Sequence, residues 1–212
     1  MQKDLLKGVS HFKQSTIRIQ DNKTIYFDPF EIEGKPSDAD IIFISHSHYD
    51  HFSIEDIKKL VKKDTVLVLP GDCIKKAIDV GFTNVITVQP PRTYEVGGLK
   101  FSTVPAYNIN KKFHKKESCW VGYIVNLSNI TYYFAGDTDN IPEMKDIKAD
   151  VVFLPVGGTY TMTWLEAVDA ANSINPLVAV PIHFLDIVGT EDDAKNFTSR
   201  IHSSIKGVIL KK

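Results

Sequence analysis

The sequence predicts an α/β (α+β) fold in which two β-sheets pack together with helices outside. Three observations predict it. Short runs rich in apolar and β-branched residues recur along the 212-residue chain. Helical patterns follow only some of these runs. Side chains of metal-ligand type come directly after the ends of several of them, where layered α/β folds commonly build open sites.

The elements follow in order. Strands are expected at residues 15–19, 24–27 and 41–45. Ile41-Ile42-Phe43-Ile44 is a continuous apolar run, the pattern of a strand buried on both faces. Ser53-Ile54-Glu55-Asp56 then opens a helix with Ser53 as N-cap and Ile54, Ile57, Leu60 and Val61 as its apolar face. A strand at 65–69, a helix at 72–80 and strands at 85–88, 99–104, 122–126, 131–135 and 151–155 come next. Thr163-Trp164-Leu165-Glu166 is a capping-box pattern. A strand at 177–181, a helix opened by Thr190 and a short strand at 208–210 complete the pattern. With no linker or repeat, one domain over residues 1–212 is expected.

Composition narrows the function. Hydrophobic residues make up 43% and charged residues 24%, a globular balance, and the net charge is −1. No global field therefore recruits nucleic acid or anionic lipid. That net charge, with only three arginines, Arg18, Arg92 and Arg200, weighs mildly against a basic groove. A small-molecule substrate is expected, with neither nucleic acid nor membrane as partner, and a homo-oligomer is left open. No apolar run reaches the ~18 residues of a membrane span, and residues 1–7 lack the apolar core of a leader. Cys73 and Cys119 give no disulfide framework and read as small core residues. A cytoplasmic location is the default expectation.

The chemistry concentrates in His46-Ser47-His48-Tyr49-Asp50-His51, which holds three of the 7 histidines. Imidazole with carboxylate is the ligand set of zinc and of harder ions such as manganese and iron. One loop cannot enclose a metal, so partners are needed. Asp137 follows the apolar run Tyr132–Ala135 across Gly136, and His183 follows Val178–Ile182. Alone, Asp137 would serve as a turn residue and His183 as a strand-end histidine; beside His46–His51 they become ligands. Val104-Pro105-Ala106-Tyr107-Asn108 ends a strand in an amide, a poor zinc ligand that harder cations accept. Asn108 is thus a candidate weak ligand, water-mediated ligand or substrate contact. His114 is a candidate metal or substrate group, and equally reads as a loop histidine. Lys111, Lys112, Lys115 and Lys116 read either as an anion-attracting patch or as a solvated loop. Gly157-Gly158-Thr159-Tyr160 reads either as an anion cradle, with Thr159 and Tyr160 contacting substrate, or as a turn.

These motifs resemble the metallo-β-lactamase superfamily of metal-dependent hydrolases, through His46-x-His48-x-Asp50-His51, Ala135-Gly136-Asp137-Thr138 and His183. More narrowly, Val104–Asn108, Gly136-Asp137-Thr138-Asp139 and Gly157–Met162 are similar to the branch containing ascorbate-phosphate lactonases. The resemblance implies a four-layer αββα sandwich and one or two divalent metals. It assigns one metal to His46 and His48, a second to Asp50, His51 and His183, and a bridging role to Asp137. Many relatives add a further histidine to the first metal, where this chain has Asn108. Weaker binding, replacement by His114, or a single metal would each follow from that departure. Asp50 is also implied as the catalytic residue that orients water and shuttles a proton. Asp28 and Thr138 are candidates to hold the outer nitrogens of the histidines, with Asp28 also readable as a turn residue before Pro29. The implied activity is hydrolysis of a small, anionic or phosphorylated, lactone or ester. Phosphodiesterase or nuclease action, and a non-catalytic metal-binding role, are the alternatives.

Overall fold

The computed structural model describes residues 4–211. Residues 1–3 of the segment read for a leader lie outside them. One sheet contains six strands in sequential order: β1 (Val9–His11), β2 (Ile17–Gln20), β3 (Thr24–Phe27), β4 (Ala39–Phe43), β5 (Val61–Pro70) and β6 (Val85–Val88). The other contains β7 (Arg92–Val96), β8 (Leu99–Pro105), β9 (Val121–Leu127), β10 (Ile130–Phe134), β11 (Val151–Pro155), β12 (Val178–Ile182) and β13 (Lys206–Gly207). In each sheet an antiparallel half continues into a parallel half. β3 to β6 run parallel, and so do β10 to β13.

Four helices cover the outer faces: α1 (Ile54–Leu60), α2 (Ile74–Asp79), α3 (Trp164–Ile174) and α4 (Glu191–Arg200). Ser53 caps α1, and Thr163 and Thr190 form capping boxes with Glu166 and Asp193. The helices bury Ile57, Leu60 and Ala77 against the first sheet and Ala167, Ala170, Ala171 and Phe197 against the second. The result is the expected αββα sandwich.

Its centre is aromatic. Phe27 stacks on Phe43 within the first sheet, with ring centroids 5.1 Å apart, and on Phe134 of the second at 4.8 Å. Tyr123 packs on Phe43 and donates its hydroxyl to the Ile44 carbonyl at 2.6 Å. Each of these phenylalanines ends a strand that runs into the site described below.

Several elements differ from expectation. β1 and β7 escape the sequence pattern because both are edge strands with polar residues and little apolar alternation. The last strand lies at Lys206–Gly207, not 208–210; Val208 and Leu210 pack on the core from irregular backbone. Val61 caps α1 and starts β5 instead of extending the helix face. Cys73 is buried as expected, but Cys119 is exposed on a left-handed turn. No helix among the described residues is long and apolar enough to cross a membrane.

Replacing Phe134 with Ala should cost about 3–5 kcal/mol, because the cavity would open between two sheets that cannot close on it. Denaturant unfolding checks this; a loss under 1 kcal/mol would show that the cross-sheet stack is not limiting.

Candidate metal centre

Parallel strands leave their carboxyl ends at one edge of the sandwich, and four of them deliver side chains there. β3 leads to Asp28, β4 to Ser45 and His46, β10 to Asp137, and β12 to His183. The turn after β4 is closed by hydrogen bonds from the His51 and Phe52 amides to the His48 carbonyl, which folds His46, His48, Asp50 and His51 toward one another. Gly136 has φ +65°, and a Cβ there would lie 3.0 Å from the Ser45 side chain. A side chain here would press on Ser45 and the Val121 carbonyl in a strained backbone, so glycine eases the approach of Asp137 to the His46 loop.

Three donor groupings result; Asp28 with His46 and His51 is tied by hydrogen bonds, and the other two form separate clusters. Nitrogens of His46, His48 and His114 converge in the first, and Asp50, His51 and His183 converge in the second. Asp137 faces both. Its Oδ2 lies 3.3 Å from Nε2 of His114 and 3.2 Å from Nε2 of His183, and its Oδ1 lies 3.4 Å from Nε2 of His51. The metal-ligand residues implied by the resemblance are therefore all together. His114, left open by the sequence, joins His46 and His48.

The outer edges of the rings are held. Asp28, fully buried, accepts from Nδ1 of His51 at 2.7 Å and from the Ser45 amide at 2.7 Å. The Ser45 hydroxyl bridges Asp28 to Nδ1 of His46. Asp28 thus meets the expectation of a carboxylate behind the ligands. Thr138 does not: its hydroxyl is used by the backbone of Tyr107 and Asp139. The Asn108 amide bonds to Nδ1 of His114 at 3.2 Å and to the Tyr160 carbonyl at 2.8 Å, and its backbone amide bonds to the His114 carbonyl at 2.7 Å. Asn108 therefore supports His114 from behind.

The electrostatics suit a cation. Burial pushes the His46 pKa well below its ordinary value, helped by the neighbouring His51 charge, so His46 is neutral and ready to ligate. Burial, then His114, lowers His48. Burial opposes protonation of His51, but Asp137 and Asp28 outweigh it and hold its pKa well above the ordinary value. Burial works against ionisation of Asp137 too, and His183 and His51 reverse it, so its carboxyl lies well below the usual range. Nε2 of His51, Nε2 of His114 and Oδ1 of Asp137 are buried without a hydrogen-bond partner among the described residues. Buried polar atoms left this way are costly. A divalent cation between them supplies the missing partner, so the residues fit the metal their chemistry implies.

A cavity of about 250 Å³ opens onto the clusters, lined by His48, Asp50, His114, Asp137 and His183 and by Tyr49, Phe113, Tyr160 and Ile187. No lysine or arginine is among its lining residues. Lys111 pairs with Asp139 and lies 4.0 Å from Glu166, and Lys112 is exposed outside the lining. Thr159 is exposed on the rim side, and its amide bonds to Gly157 while that of Gly158 bonds to Met162. Of the pair Thr159 and Tyr160, only Tyr160 reaches the cavity. Two residues entered without a sequence signal. Trp120 packs its ring 4.8 Å from that of His46 and 4.9 Å from that of His48. Gln14, on the turn between β1 and β2, places its amide against Asp50 and His183.

The family model described as "Beta-lactamase superfamily domain" matches residues 9–183. The chain belongs to the metallo-β-lactamase superfamily. Within this superfamily it is similar to the UPF0173 metal-dependent hydrolases of Methanopyrus kandleri (30% identical, covering 85% of each chain) and Pyrococcus abyssi (30% identical, covering 91% of each). A solved structure of a proposed metal-dependent hydrolase from Parabacteroides distasonis superposes with a TM-score of 0.81, at 30% identity over 95% of this chain and 91% of that one. Igni18, a metallo hydrolase from Ignicoccus hospitalis, shares the fold with a TM-score of 0.79 at 20% identity, over 96% and 94% of the two chains. This chain is accordingly a metal-dependent hydrolase of the superfamily.

Asp28→Asn should lower affinity for the metal at the Asp50–His51–His183 cluster about 10–100-fold, because the carboxylate that orients His51 would be gone. Titration of chelator-stripped protein checks this; unchanged affinity would show that Asp28 does not set the ring. A pH effect also follows. His51 keeps its proton to well above pH 6.5 in the metal-free protein and must lose it to accept a cation. Metal uptake at pH 7 should therefore release a proton, and affinity should rise with pH until His51 is neutral. Calorimetry in buffers of different ionisation enthalpy measures that release.

Proposed function

We propose that this protein hydrolyses a small lactone or ester at a centre of two divalent metals. The observation that supports the reading most is the pair of donor clusters sharing Asp137 at the floor of an open cavity. His46, His48 and His114 would hold one ion; Asp50, His51 and His183 would hold the other, with Asp137 between them. When bound, such ions lower the pKa of water toward neutrality and polarise a carbonyl oxygen. Zinc, manganese and iron all accept these donors.

The chain's own residues do the rest. Asp50 lines the cavity; burial would raise its pKa, but His51 reverses this and keeps its carboxyl below the usual range. Its position on the cavity wall places it to orient a water and accept its proton. Tyr49, Phe113, Tyr160 and Ile187 give the mouth apolar walls, with Phe113 and Tyr160 edge to face at 4.8 Å. Such walls suit an uncharged carbon body beside the scissile carbonyl. The lactone reading itself comes from the narrower resemblance. A phosphorylated or otherwise anionic substrate has less support, because Lys111 is already paired and no lysine or arginine lines the cavity beside the metal cluster. The same lining weighs against a phosphodiester or nucleic acid.

The test is a hydrolysis screen of lactones, uncharged aryl esters, sugar phosphates and phosphodiesters with zinc and with manganese. We expect turnover of lactones or esters at least tenfold above phosphodiesters, abolished by chelation. Asp50→Ala should reduce it about 10²–10⁴-fold. Preferential phosphodiester cleavage, or full activity of the Asp50 variant, would overturn the assignment.

A further inference from the structure

Gln14 is fully buried, at φ +52°, on the turn between β1 and β2. Its backbone is fastened on three sides. The amide donates to Oδ2 of Asp186 at 2.7 Å, and the carbonyl accepts from the His183 amide and from Nε2 of His11, each at 2.9 Å. The side chain is aimed by these bonds into the second donor cluster. Nε2 of Gln14 lies 3.0 Å from Oδ2 of Asp50 and 2.9 Å from Nε2 of His183, while Oε1 is buried without a hydrogen-bond partner among the described residues.

The two atoms against this NH₂, Oδ2 of Asp50 and Nε2 of His183, belong to two of the three residues of that cluster. A cation held there takes the Asp50 and His183 lone pairs, so the NH₂ loses both acceptors and points its positive end at the ion. The two ends of an amide have nearly the same shape, and a half-turn about the terminal bond exchanges them. The turned amide presents an oxygen with two free lone pairs to the cation. The pinned backbone keeps Cα of Gln14 beside the cluster.

We propose that Gln14 is a direct ligand, through Oε1, of the metal held by Asp50, His51 and His183. This rests on metal occupancy of that cluster but not on any substrate. It makes the two centres unlike. The first has three imidazoles, a set that suits zinc. The second gains an oxygen donor beside the Asp50 and Asp137 carboxylates and so favours a harder ion such as manganese or ferrous iron.

Titration of chelator-stripped full-length protein with Mn²⁺, and separately with Zn²⁺, tests this, with Gln14→Ala and Gln14→Glu beside the unaltered chain. Gln14→Ala should weaken one class of Mn²⁺ site about 10–100-fold, leave the other class unchanged, and weaken Zn²⁺ less. Gln14→Glu should tighten that same Mn²⁺ class, because a carboxylate replaces an amide on the ion. If Gln14→Ala does not fold, the Glu variant decides. Mn²⁺ affinities within twofold of the unaltered chain in both variants would overturn the proposal. So would weakening by Glu as well as by Ala, which is the result expected if Gln14 only donates to Asp50. A protein that binds metal but hydrolyses none of the substrates screened loses the proposed function and keeps this assignment. Failure of the unaltered chain to take up either metal overturns both.

Discussion

Asp28 is the carboxylate on which the metal centre depends. It has no solvent exposure, and burial pushes its pKa up while His51 and Ser45 act against the rise. An ion of this kind costs several kcal/mol to bury unless donors surround it. Here they are the Ser45 amide and hydroxyl and Nδ1 of His51. The same bonds do structural work for both clusters. His51 belongs to one, and Ser45 passes the constraint to His46 of the other. The placement of Asp28 follows from strand register. β3 and β4 pair in parallel with Phe27 opposite Phe43, so the residues following each are neighbours by construction.

Beneath this hub the hydrophobic core continues without a break. Phe27, Phe43 and Phe134 end three strands from two sheets, and Phe27 stacks on both of the others. Asp28 follows Phe27 directly, and His46 and Asp137 each stand three residues after Phe43 and Phe134. Burying these rings therefore fixes the relative height of the two sheets at the edge where the ligands emerge. The Val121 amide bonded to the Ser45 carbonyl, and the Tyr123 hydroxyl bonded to the Ile44 carbonyl, tie the sheets at the same level. Packing in the core and spacing of the donors are one geometric problem solved once.

This coupling explains what was legible in the sequence. The buried parallel strands announce themselves as continuous apolar runs, and a ligand-type side chain at the end of each marks a site, so His46, Asp137 and His183 could be placed together. Asp28 was visible for the same reason, as the residue after Tyr26-Phe27. His114 could be named as a candidate but not placed, because it lies on an irregular loop whose course is set by tertiary bonds: Asn108 to the His114 carbonyl and Lys111 to Asp139. Those bonds also withdraw Lys111 from the role of anion contact. Gln14 was illegible for a stronger reason. It follows a three-residue edge strand, 36 residues from Asp50 and 169 from His183, and an amide has no motif of its own.

Four of the residues at the centre share a property that no propensity predicts. Gln14, Asp28, His114 and His183 all have left-handed backbone, with φ of 52°, 45°, 48° and 56°. Glycine would adopt this conformation without strain, but glycine offers no ligand, so each site residue bears a cost of order 1–3 kcal/mol. The offset is visible at each position. The Asp28 amide bonds to the Phe43 carbonyl, the Gln14 amide to Asp186, the His183 amide to the Gln14 carbonyl, and the His114 carbonyl to Asn108. All four bonds come from the protein, and none requires an ion. Strain at the ligands is retained because the surrounding fold over-determines their positions.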